Sequence, residues 1–158
     1  MSRQLLILAA AALWPFSTQA ADMAKEGTDK LMVLFVNVSS FSEMKQGDAV
    51  VYTNDNSGVQ SASAGSLFDN LGVRCVGFFR LEGATGVSKG YCVKGDSNGN
   101  QYWEDYQDLA GKGTSKIVGG KGKFAGMTGD IDYTYEGLGD ANGRILFVVS
   151  ETVRWKLP

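Results

Sequence analysis

The chain has no histidine among its 158 residues. That removes the commonest metal ligand and the commonest general base near neutral pH. A Ser-His-Asp triad, a Cys-His dyad, a histidine zinc site and an H-E-x-x-H peptidase are therefore excluded. Cysteine and proline are scarce, at two each. Neither sign of charge dominates, since 15 basic residues stand against 17 acidic ones. Nucleic-acid binding calls for clustered positive charge. The only basic run, Lys112, Lys116, Lys121 and Lys123, reads as a solvated loop face, so no nucleic-acid partner is expected. Beyond residue 20 no segment approaches the roughly 20 apolar residues of a spanning helix, and no membrane span is expected. The length fits one domain.

The first twenty residues read as an export signal. Arg3 supplies positive charge, Leu5 to Trp14 is an apolar run, and Pro15, Phe16 and Ser17 break it. Thr18-Gln19-Ala20 then offers small residues at the −3 and −1 positions of a cleavage site. Residues 1–20 are thus expected to be a signal peptide and 21–158 a single domain. The expected location is periplasmic or extracellular. Removing the leader takes away only Arg3, and the balance stays mildly acidic.

Glycine is what the chain has in excess: 21 residues, nearly twice the usual share of about 7%. The remainder reads as short β-rich runs separated by Gly, Asn, Asp and Ser. Eight runs are expected: 31–38, 48–54, 73–81, 87–95, 101–107, 114–118, 129–138 and 144–155. Residues 55–65 are small and polar and read as a loop. A short helix is possible at 39–46 or 66–71.

Turn chemistry predicts three hairpins. Asp96-Ser97-Asn98-Gly99-Asn100 contains an Asn-Gly pair, which takes positive φ at low cost. Its spacing does not fit a calcium loop, which needs Gly sixth and Glu twelfth, and no metal is expected. A second turn lies at Ala141-Asn142-Gly143. There Ile145, Phe147, Val149, Val153 and Trp155 share one strand face, and Ile131, Tyr133 and Tyr135 share another. Both sets are odd-numbered, so an odd-length loop of three residues is expected. That register sets Ile131 opposite Val153, Tyr133 opposite Glu151 and Tyr135 opposite Val149. The third hairpin sets Cys75 opposite Cys92 and Leu81 opposite Gly86, leaving Glu82-Gly83-Ala84-Thr85 as the loop. An exported chain with two cysteines on facing strands is expected to form the Cys75–Cys92 disulfide.

Residues 118–129 read Val-Gly-Gly-Lys-Gly-Lys-Phe-Ala-Gly-Met-Thr-Gly. They fit neither a P-loop nor a dinucleotide fingerprint, because no Ser or Thr follows the lysines and no βαβ context surrounds them. No cofactor is expected. The glycines suit a tight connection between strands, with Phe124 plugging the end of the core. This segment resembles the G-G-T-G-K-F/Y-x-G-x-x-G signature of the allene oxide cyclase and dirigent-like barrels and of small secreted bacterial proteins similar to them. Gly119, Gly120, Gly122, Lys123, Phe124, Gly126 and Gly129 match, and Lys121 stands where Thr is usual. The resemblance implies an all-β fold, a single closed eight-stranded antiparallel barrel with an apolar pocket at one mouth. Eight strands leave room for side chains or one small ligand.

Candidate chemistry rests on carboxylates and tyrosines. Glu151 lies among Phe147, Val149, Val153 and Trp155 on the apolar face, with Tyr133 opposite. Such a pair can hold a polar ligand end or move a proton. A solvated Glu151 at the rim, bonded to Arg154 or Arg144, is the other arrangement. Tyr102, Glu104 and Tyr106 share one face of their strand, which is either an inner wall or a surface ladder. The expected ligand-binding residues are Glu151, Tyr133, Tyr135, Glu104 and Tyr106, with Glu151 and Tyr133 as catalytic candidates. The function expected first is an exported barrel that binds a small apolar or aromatic ligand. A cofactor-independent isomerase, cyclase or lyase is the alternative, and an envelope protein with a filled barrel is the third. The residues leave the oligomeric state open.

Overall fold

A computed structural model describes residues 24–38, 43–83 and 85–158. The expected leader lies outside the described residues, as do residues 39–42 and Ala84. Nine strands form: β1 (Glu26–Asn37), β2 (Glu43–Gln46), β3 (Ala49–Ser61), β4 (Leu71–Glu82), β5 (Thr85–Gly95), β6 (Gln101–Leu109), β7 (Lys112–Lys121), β8 (Thr128–Ala141) and β9 (Arg144–Lys156). All pair antiparallel. From β3 to β9 each strand pairs with the next, β9 pairs with β1, and β1 pairs with β3 to close an eight-stranded barrel. The extra strand β2 pairs with the first residues of β3. Closure gives each of the eight barrel strands a partner on both sides.

Each of the eight expected runs falls on a strand, with only Val38 and Asp48 lying one residue outside, and the departures have local causes. Of residues 55–65, expected as a loop, only 62–65 lie outside a strand, because β3 continues through Ser61. Its polar residues Asn56 and Gln60 are buried and find partners inside the barrel: Asn37 Nδ2 donates to Asn56 Oδ1 at 3.0 Å, and Gln60 Nε2 donates to the Phe68 carbonyl at 2.9 Å. Neither expected helix forms among the described residues. Residues 43–46 are strand β2, and 66–70 are turns that fold over one barrel end.

The Cys75–Cys92 disulfide forms, in the expected register. Pairing also runs on to Glu82↔Thr85, so the loop is two residues rather than four. The β8–β9 turn is likewise two residues, Asn142-Gly143, both with positive φ (56° and 75°), rather than three. The expected partners Ile131↔Val153, Tyr133↔Glu151 and Tyr135↔Val149 nevertheless form. A β-bulge between Gly137 and Gly139 reconciles the two. It inserts one residue, Leu138, and so restores the parity that the shorter turn alters.

At the β7–β8 connection, a 3₁₀ turn over Gly122–Phe124 buries Phe124 completely. Gly122 has φ 64°, and a Cβ there would fall on Asn100 Oδ1. That oxygen accepts the Lys123 backbone N–H at 3.0 Å, which ties the connection to the β5–β6 turn.

Candidate ligand pocket

Strand alternation decides what fills the barrel. One half is packed solid. Phe68, Leu71, Tyr102, Phe124, Met127, Ile131 and Val153 are all buried there, with Leu31, Ile117 and Trp155 around them. Phe68 comes from the segment that crosses this end. Its ring lies 5.5 Å from that of Tyr102 and 5.9 Å from that of Trp155.

A buried charge cluster forms the layer above this plug. Lys94 is fully buried, and its Nζ donates to both Glu151 oxygens at 2.7 Å. The same Nζ lies 3.0 Å from Glu104 Oε1, without the alignment of a hydrogen bond. Ser115 Oγ donates to Glu104 Oε2 at 3.3 Å. Burial alone would lower the Lys94 pKa, but the charges of Glu104 and Glu151 outweigh it and hold the ammonium above its ordinary value. Burial pushes Glu104 up to about 7, against the opposing pull of Lys94. Two carboxylates thus share one cation, and a proton is bound near neutral pH.

The other half is open. A cavity of about 320 Å³ lies above the cluster, at the small end of the roughly 300–1,000 Å³ usual for ligand sites. Its walls are Phe35, Tyr52, Phe79, Tyr106, Tyr133, Tyr135, Phe147 and Val149, with the Cys75–Cys92 bridge on one side. Phe35 and Phe147 stack at 5.1 Å. Glu104 and Glu151 line the cavity too, as do Asn37, Asn54, Asn56, Ser88 and Asp108. Inward glycines make room for the rings. A Cβ at Gly77 or Gly90 would meet the Tyr106 hydroxyl, and one at Gly113 would fall on the Tyr133 ring.

The structure places the five sequence candidates, Glu151, Tyr133, Tyr135, Glu104 and Tyr106, around one cavity. Glu151 is not at a solvated rim: Arg154 pairs with Asp132 instead, at 2.8 Å. Glu151 and Tyr133 are register partners, yet their hydrogen bonds go elsewhere. Glu151 accepts from Lys94, and the Tyr133 hydroxyl donates to Asp108 Oδ2 at 3.5 Å. Tyr106 donates to Asn54 Oδ1 at 3.3 Å.

Lys94 and Asp108 were not among the sequence candidates. Both continue an inward alternation already visible, Lys94 two residues past Cys92 and Asp108 two past Tyr106. Asp108 is only 8% exposed, and its Oδ1 has no hydrogen-bond partner among the described residues. Burial raises its pKa, against hydrogen bonds from Ser88 and Tyr133. Burial also raises that of Tyr133, with the Asp108 charge adding to the effect. Among the described residues no group of three or more carboxylates or cysteines could hold a metal ion.

No protein-family model matches the chain, and neither does any curated protein. Solved structures do. The chain is similar to the pterocarpan synthase dirigent protein GePTS1, with 14% identity and a TM-score of 0.52, over 94% of this chain and 100% of that one. It is similar also to the pterocarpan synthase dirigent protein PsPTS1, with 13% identity and a TM-score of 0.51, over 86% of this chain and 99% of that one. At such identities the likeness shows the fold, a dirigent-like eight-stranded barrel.

Proposed function

We propose that this is an exported binding protein that takes a small, largely apolar or aromatic ligand into the open half of its barrel. The half-filled interior carries this reading. A barrel that served only as a scaffold gains stability from filling its core. Here one half is packed, while the other keeps about 320 Å³ between aromatic walls with a few convergent polar groups. The disulfide and the leader-like first twenty residues support export. The likeness of residues 119–129 to the glycine signature of allene oxide cyclase and dirigent-like barrels agrees with it.

Native mass spectrometry of the protein purified from its producing cell tests the proposal. A retained small molecule, or a rise in melting temperature with an apolar compound, is the expected result. A bare mass and no shift across a panel of apolar and aromatic compounds would overturn it. A second reading, cofactor-independent proton transfer, is favoured by one observation: Tyr133 bonds to the buried, raised-pKa Asp108 at the cavity wall. Turnover of a bound compound that is lost in Asp108→Asn, with folding kept, would establish it.

A further inference from the structure

The cavity is apolar in its walls but one-sided in its charge. Three carboxylates line it, those of Glu104, Asp108 and Glu151, and no cationic side chain does. The nearest ammonium, Lys94, sits behind the wall, donating to Glu151 and lying 3.0 Å from Glu104 Oε1. Asp108 receives nothing from it. Its neighbours Ser88 and Tyr133 are neutral hydroxyl donors, and its Oδ1 is left without a partner. Glu104 is 2% exposed, but its Oε1 has the Lys94 ammonium 3.0 Å away, so Asp108 is the carboxylate of the three without a buried cation beside it. Lys30, Lys89 and Lys112 line a second groove that Asp108, Tyr133 and Glu151 also border, but these lysines are exposed, where water and salt screen them.

A buried acceptor without a donor is costly, and a buried carboxylate without a compensating charge more so. A ligand that brings both a donor and a positive charge relieves both costs at once. Aromatic faces reinforce this, since their negative quadrupole attracts an ammonium. Tyr106, Tyr133, Tyr135 and Phe147 all line the cavity with Asp108. An anionic ligand would meet Asp108 and find no cationic side chain on the cavity wall among the described residues, and is disfavoured.

Building on the pocket proposed above, we infer that its ligand is an organic cation: a primary or secondary ammonium carried on a flat apolar body, with the ammonium bonded to Asp108 Oδ1 and the body between the aromatic walls.

Three probes with one body test this: 2-(1-naphthyl)ethylamine, 2-(1-naphthyl)ethanol and 1-naphthylacetate. Isothermal titration at pH 7.5 measures their affinities for the oxidised protein. The amine is expected to bind at least tenfold more tightly than the alcohol, and the acetate more weakly than either. In Asp108→Asn the amine-to-alcohol ratio is expected to fall below threefold. Glu104→Gln, which leaves the Lys94–Glu151 pair intact, is expected to reduce the ratio as well. An alcohol that binds as well as the amine, or a ratio unmoved in folded Asp108→Asn, overturns the ammonium inference and leaves the pocket standing. Binding of none of the three overturns the pocket along with it.

Discussion

Lys94→Met tests whether the charge cluster holds the barrel together. The substitution keeps the length of the side chain and removes the ammonium. Lys94 is fully buried, with oxygens of two carboxylates 2.7 and 3.0 Å from its Nζ. Taking away one partner of a buried ion pair costs about 3–5 kcal/mol, because the other charge is left without compensation. Here Glu151 loses its cation while Glu104, raised by burial, holds its proton more firmly, so a loss within that range is expected, a fall of about 10–15 °C in melting temperature. Urea unfolding followed by tryptophan fluorescence at pH 7 measures the loss. The deficit shrinks as the pH falls towards about 4, where stranded carboxylates take up protons. The triple variant Lys94→Met, Glu104→Gln, Glu151→Gln removes the charges together and is expected to recover at least half of the loss. A loss below about 1 kcal/mol in Lys94→Met, or a triple variant no more stable than the single, would refute the account of the cluster.

Other predictions follow from the same contacts. Glu104 faces Lys94, Glu151, Tyr102 and Ser115, and Lys94 and Tyr102 both have raised pKa values. Because the folded-state value of Glu104 is raised by burial to about 7, stability is full below the unfolded carboxylate value of about 4.3 and falls as the pH rises from there through 7. Unfolding curves between pH 4.5 and 8 are expected to show that fall in the wild type and to lose most of it in Glu104→Gln; a rise over the window would contradict the assignment. Replacing Cys75 and Cys92 with alanine opens a link across a sequence separation of 17 and is expected to cost about 3 kcal/mol, read in the same denaturation assay. In Gly113→Ala the new methyl falls on the Tyr133 ring, and a loss of about 1–3 kcal/mol is expected. That loss should vanish in a Tyr133→Ala background, and a double-mutant cycle without coupling would show that the ring does not lie there.

Much of the barrel was legible because side-chain parity leaves a strong trace. Odd-numbered apolar residues in the last two strands fixed their register, and the cysteines fixed that of β4 and β5. The loop lengths were less legible. The bulge at Leu138 conserves parity while shortening the turn, so two combinations of turn and bulge give one apolar pattern. The second half of β3 escaped because its inward residues, Asn56 and Gln60, are polar and are satisfied by partners distant in sequence. Lys94 escaped for a related reason. A lysine on a glycine-rich strand reads as surface, and only the fold brings Glu104 and Glu151 to it. Asp108 lay one residue beyond the expected end of its strand.

The central claim is that the open half of the barrel is a binding site. Gly137 gives direct access to it. It lines the cavity, its φ is unexceptional, and a Cβ there meets nothing within 4 Å. Gly137→Trp therefore introduces a large ring at the cavity wall from a position where the first side-chain atom has room. The decisive measurement is fluorescence titration of the neutral, polarity-sensitive probe N-phenyl-1-naphthylamine into the wild type and into this variant. One saturable site per chain in the wild type, with affinity reduced at least tenfold in a Gly137→Trp variant of unchanged stability, is the predicted result. No saturable binding to the wild type, or equal binding to both proteins, would contradict the account.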